Sequence, residues 1–112
     1  MHEIKAIIQP FMLVHVIDAL KEIPDMPGLT ISEVKGFGRS RANVPHSTIE
    51  WGITVVMKVK LEMVVSDAMV DVVVNTIQKH AHTGNAGDGK IFVYPVSRIV
   101  KIRTNESGES AL

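Results

Sequence analysis

Cysteine is absent from the 112 residues. Disulfides, thiolate nucleophiles and cysteine-based metal centres are therefore excluded, and the absence suits a reducing compartment. Aromatic residues are scarce: three Phe, one Tyr and one Trp give little surface for stacking on nucleic-acid bases. Neither sign of charge prevails, with 12 basic and 12 acidic residues, so no net field draws the molecule to nucleic acid or anionic lipid. No apolar run approaches the roughly 20 residues of a membrane span. The opening Met1-His2-Glu3-Ile4-Lys5 lacks both the basic region and the long apolar stretch of a signal peptide. The expectation is a cytoplasmic domain without nucleic acid as partner and without direct membrane insertion. Its length allows one two-layer core and no separate catalytic module.

What is present is mostly aliphatic. Residues 4–8 read as a short buried strand that ends at Pro10, which suits the first turn of a helix. Leu13, Val16, Ile17, Leu20 and Ile23 recur at helical spacing, opposite Asp18, Lys21 and Glu22, until Pro24 stops the helix. Residues 29–37 are a second strand, and 39–54 a long loop, of which 51–56 could extend. Val59, Leu61, Met63 and Val65 alternate with Lys58, Lys60 and Glu62, the period of a half-buried strand. Ser66 reads as an N-cap and Asp67 as the acid at the positive end of the next helix. That helix carries Met69, Val70, Val73, Val74 and Ile77 on one stripe. A glycine-rich loop at 83–89 and a strand over 91–96 follow. Residues 98–103 read as one more strand, and 105–112 as a polar, mobile tail.

The order is therefore β-α-β, loop, β-α-β: an α+β, ferredoxin-like duplication with an antiparallel sheet and two helices on one face. One sheet face stays bare, which predicts oligomerisation.

Thr83-Gly84-Asn85-Ala86-Gly87-Asp88-Gly89-Lys90 is the sharpest local motif. Clustered glycines let backbone N–H groups converge on an anion, and Lys90 adds a charge. The stretch is not a Walker loop, because its spacing differs and a strand follows it. Taken alone, such a stretch is more often a turn than a site. Gly36-Phe37-Gly38-Arg39 is a second glycine pair beside a cation, with a β-bulge or a strand-end turn as the plainer reading. Arg98, Lys101 and Arg103 form a basic cluster, either edge protection or a phosphate clamp. His80 and His82 are the only close histidine pair, and they would share a face only in extended chain. Nothing fixes a nucleophile beside a base, so a binding protein is expected rather than an enzyme.

Several stretches together resemble the PII nitrogen-regulatory proteins: residues 4–11, Glu33-Val34-Lys35-Gly36-Phe37-Gly38-Arg39, residues 58–65, and 83–96 with its Gly87-Asp88-Gly89-Lys90-Ile91-Phe92. The likeness runs on through Ile102-Arg103-Thr104 and spans nearly the whole chain. It implies a single domain over 1–112, with a T-loop at about 39–57 and a phosphate loop at about 83–90. It also implies a homotrimer with inward-facing sheets and ATP or ADP, with AMP as a further candidate, in the inter-subunit clefts. On that resemblance, Gly36, Phe37, Gly38 and Arg39 border the nucleotide, and Gly87, Asp88, Gly89 and Lys90 hold phosphates. Ile7, Thr30, Glu62 and Val64 surround the adenine or ribose, and Lys101 and Arg103 reach phosphates from a neighbouring subunit.

Three departures matter. Lys101 stands where the family commonly has Arg, so a point charge replaces a fork. Ser40 stands where a glutamine usually helps hold Mg²⁺ and 2-oxoglutarate, and a hydroxyl lacks the amide carbonyl. Lys58, the family's other 2-oxoglutarate anchor, is kept, so Mg²⁺ and 2-oxoglutarate are doubtful effectors. No tyrosine occurs in 39–57, which removes the uridylylation acceptor. The resulting expectation is a divergent PII-like signalling protein acting through 39–57 on a membrane transporter or metabolic enzyme. The alternative is a CutA-like trimeric metal-tolerance protein using His80 and His82.

Overall fold

The computed structural model describes residues 1–37 and 47–112. Its elements in chain order are β1 (His2–Ile8), α1 (Leu13–Lys21), β2 (Thr30–Gly36), β3 (Ser47–Glu50), β4 (Ile53–Val65), α2 (Val70–Ala81) and β5 (Gly89–Pro95). The sheet is antiparallel in the order β2-β4-β1-β5, with β3 paired to the first part of β4. The α+β, ferredoxin-like arrangement expected from the sequence is the one observed.

Period-two and period-3.6 patterns meet in one core. Ile4, Ala6 and Ile8 of β1 and Val59, Leu61, Met63 and Val65 of β4 are buried beneath Val16 and Leu20 of α1 and Val73, Ile77 and Ala81 of α2. Leu13, Ile17, Ile23, Met69, Val70 and Val74 pack around this cluster, which accounts for both predicted helix stripes. A fully buried leucine such as Leu61 is worth about 2–5 kcal/mol against truncation to alanine. The core is thus set by alternation in two central strands, each buried on one side only.

Pro10 opens α1 as expected, through a short 3₁₀ turn over Pro10–Met12. Four other expectations need correction. Residues 47–54 are not loop: Ser47 pairs with Val56 and Glu50 with Ile53 across a tight turn at Trp51 and Gly52. β4 therefore starts at Ile53, well before the alternating stretch that announced it. Ser66 makes no side-chain cap, and a 3₁₀ turn over Asp67–Met69 precedes α2. Asp67 instead takes the Met1 ammonium and His2 Nδ1 on one oxygen, each at 2.7 Å, and the Met1 ammonium comes first among the groups that hold its carboxyl below the usual range. Residues 98–103 do not form a strand; only Val100 makes a bridge, to Ser107. The alternation of basic and apolar residues there follows a turn, closed by Asn105 N donating to the Lys101 carbonyl at 2.8 Å. The tail is likewise folded, ending in a 3₁₀ turn over Glu109–Ala111.

Candidate functional site

The register decides which side chains stand together on the face that the helices leave bare. Directly paired residues in an antiparallel sheet point to the same side. Thr30, Glu62, Lys5 and Phe92 make one cross-strand row, and Ser32, Lys60, Ile7 and Lys90 make the next. Val64, Glu3 and Tyr94 flank the first row, while Val34 and Lys58 flank the second. Ile7, Thr30, Lys58, Glu62, Val64 and Lys90, singled out separately in the sequence, therefore share one face drawn from four strands.

That face mixes charge with apolar surface. Lys60 Nζ lies 3.3 Å from Glu62 Oε1 and is the leading cause of a Glu62 carboxyl held below its usual range. Lys5 sits 5.1 Å over the Tyr94 ring, which stacks on Phe92. Ser32 and Lys60 were not singled out in the sequence. Their signal was available only through their partners in the row.

The second row runs into the glycine-rich loop. Asp88 does not point outward: its carboxylate accepts Thr83 N at 2.7 Å, Gly84 N at 2.9 Å and the Thr83 hydroxyl. The Thr83 hydroxyl comes first among the groups that hold the Asp88 carboxyl below its usual range, followed by the Thr83 N–H. Asp88 thus folds the loop around itself, and Thr83, five residues earlier, is its main partner. Gly87 and Gly89 adopt φ of 96° and 100°, which side chains of L-residues resist. At Gly89 the space is also filled, since a Cβ would stand 1.7 Å from the Ile7 carbonyl oxygen. At Gly87 a Cβ would stand 2.9 Å from Gln9 Nε2. Lys58 donates to the Gly87 carbonyl. Burial pushes its ammonium pKa down, and Asp88 partly offsets that. Three strands therefore hold the loop: β1 through Ile7, β4 through Lys58, and β5 through Gly89.

Beside the loop lies a cleft of about 380 Å³ with Ile8, Ile77, Ala81 and Ile91 at its apolar side and Gln78, His82 and Lys90 among its polar groups. Lys90 is exposed. Gly36 is the last residue of β2 in regular pairing with Val56, and a Cβ there would make ordinary contacts. It is thus not a bulge. Phe37 beyond it is exposed. Gly38, Arg39 and Ser40 lie outside the described residues, as do residues 41–46 of the expected partner loop, whose remainder forms β3, its turn and the start of β4. Lys101 Nζ is 3.9 Å from Glu106 in its own C-terminal turn, and Arg103 is exposed on the same turn.

The two histidines diverge. His80 Nδ1 donates to the Thr76 carbonyl at 2.9 Å, whereas His82 turns to Asp88. Among the described residues, no three His, Cys, Asp or Glu side chains group to share a metal ion. The geometry lends no support to the metal-tolerance alternative.

The family model for nitrogen regulatory protein P-II matches residues 1–106. The chain belongs to the P-II family. It is 44% identical over 113 residues to the nitrogen regulatory protein P-II of Azospirillum brasilense and 45% identical to P-II 1 of Escherichia coli K12, with both chains covered in full. Among solved structures it is similar to Arabidopsis thaliana PII bound to citrate, with a TM-score of 0.80 and 40% identity, covering 99% of this chain and 91% of that one. P-II proteins are signalling regulators rather than enzymes. Among the described residues, no helix is long and apolar enough to cross a membrane.

Proposed function

We propose that this P-II protein senses adenine nucleotide, ATP or ADP with AMP as a further candidate, and passes the signal to a partner through residues 39–57. The observation that carries the reading is the junction of the Ser32–Lys60–Ile7–Lys90 row with a loop whose shape is held from within by Asp88. A loop already closed on its own carboxylate loses little conformational freedom when a phosphate arrives. The exposed Lys90 supplies a cation for a polyphosphate. In this reading Gly87, Gly89 and Lys90 meet the phosphates. Asp88 shapes the loop without touching them, since a carboxylate facing a phosphate would repel it.

Thr30, Glu62, Val64, Ile7 and the stretch 36–39 would border the adenosine. A homotrimer would cover the bare face, with its half-buried Ile7, Val34 and Val64, and would let Lys101 and Arg103 reach a neighbour's nucleotide. The partner is a membrane transporter or a metabolic enzyme, met in the cytoplasm. Mg²⁺ and 2-oxoglutarate are expected to contribute little. Ser40 replaces the amide that would help hold them, and Lys58 is engaged by the Gly87 carbonyl.

Calorimetric titration with ATP, ADP and AMP, each with and without Mg²⁺ and 2-oxoglutarate, tests the reading. Saturable binding of at least one nucleotide is expected. No heat up to millimolar nucleotide would overturn it, and strong enhancement by 2-oxoglutarate would reinstate that effector.

A further inference from the structure

We infer that His82 is a positioning residue that makes the phosphate loop sensitive to pH, tightening it when the imidazole is protonated. This rests on the reading of residues 83–90 as the nucleotide's phosphate site.

The argument begins with where α2 ends. His82 follows Ala81 with φ −72° and ψ 128°, an extended conformation that carries its ring off the helix and over the loop. A Cβ on Gly84 would lie 3.9 Å from His82 Nε2, so the ring stands against the loop's first turn. His82 Nδ1 is 3.8 Å from Asp88 Oδ2. That is too far for a hydrogen bond from a neutral ring and close enough for an ion pair with a charged one. The oxygen concerned also accepts Thr83 N and Gly84 N. A proton on His82 therefore adds an attraction at the atom around which the loop is folded.

Two further features act in the same direction. The C-terminal end of α2 favours a cation through the helix dipole. His82 also lines the cleft with Lys90, so its charge would add to the field an arriving phosphate meets. The charged groups around it are Asp88 from the loop, Lys90 from β5, and Lys58 from β4, which reaches the neighbouring Gly87 carbonyl. His80 is turned back onto the Thr76 carbonyl. Imidazole is the side chain that ordinarily changes charge between pH 5 and 8, so small changes in cellular pH would alter nucleotide occupancy.

The sign is fixed by linkage: if a proton on His82 favours nucleotide, nucleotide must favour the proton by the same factor. ADP affinity is measured at pH 6.0 and 8.0 for the native protein, His82→Gln and His82→Lys. The titration of ADP's own phosphate is common to all three and cancels in the ratios. The native protein is expected to gain about two- to fivefold more affinity on acidification than His82→Gln. His82→Lys should bind tightly at both pH values, with the small slope of His82→Gln. Equal slopes in the native protein and His82→Gln would overturn the inference and leave the nucleotide reading intact. Absence of ADP and ATP binding at either pH would overturn both.

Discussion

Two of the turns that use left-handed backbone in this fold use it for opposite purposes. In the loop before β5, the positive φ values of Gly87 and Gly89 bring backbone against backbone, and the side chains of Thr83 and Asp88 are consumed in holding it there. In the β3–β4 hairpin, Trp51 at φ 51° and Gly52 at φ 76° make a tight turn whose strands carry large apolar side chains into solvent: Ile49 is 79% exposed and Trp51 81%. There, Lys35 pairs with Glu50 and lies 5.5 Å from the Trp51 ring. The loop is closed on itself. The hairpin is a surface held outward. Similar conformational freedom thus draws backbone inward at one place and displays side chains at the other.

The contrast breaks most visibly at its glycines. Gly89→Ala forces a Cβ into the Ile7 carbonyl and is expected to cost about 3 kcal/mol or more in thermal or urea unfolding. Gly52→Ala meets nothing within 4 Å and should cost only about 1–2 kcal/mol, from φ alone. Equal costs would mean that crowding does not distinguish the two turns.

Function should divide along the same line. Lys90→Ala is expected to weaken nucleotide binding by about 1–3 kcal/mol with little change in melting temperature. Trp51→Ala should leave that affinity unchanged, while weakening partner capture if the hairpin is the display surface. A loss of nucleotide affinity in both variants would merge the two regions into one site.

A smaller effect concerns acid. The carboxylate of Asp88 is held below its usual range, so its contribution to the loop is fully present above the ordinary aspartate value of about 3.9. It is lost only as pH falls through the depressed value. Amide exchange at Thr83 and Gly84 should therefore stay protected below pH 4. In Thr83→Val, which removes the leading cause of the shift, protection should fail at a higher pH. The smallest change is expected for Trp51→Asn. It relieves a left-handed aromatic but gives up the Lys35 contact, so stability should move by no more than about 1 kcal/mol either way.

Much of this was readable in the residues. Leu13, Val16, Ile17, Leu20 and Ile23 declared α1, and the alternation from Val59 to Val65 declared the buried half of β4, because helix and strand periods differ strongly. The hairpin escaped because Ile49, Trp51 and Ile53 face no core, and a strand without a buried side has no reason to alternate. Residues 98–103 misled for the mirror-image reason: their alternation is real, but a single bridge is all it supports. At the site, the glycine stretch announced a loop, yet nothing in a linear pattern tells whether a carboxylate points outward or inward. The inward turn of Asp88 depends on Thr83 and Gly84 standing five and four residues before it, where their donors meet its carboxylate. The bare-face row was hidden for a similar reason, since Lys60 and Ser32 acquire meaning only from the strands beside them.

The close approach of Gly89 to Ile7 has one more consequence, for alignment of the strands. Sliding β5 by one position along β1 would bring Asp88 or Lys90, each with a Cβ, to the place where only glycine fits. The same slip would turn Phe92 and Tyr94 under the helices and Ile91 out of them. Gly89 thus serves as a locating pin that excludes both neighbouring alignments. Insertions should accordingly be tolerated far better at the β3–β4 turn than between α2 and β5.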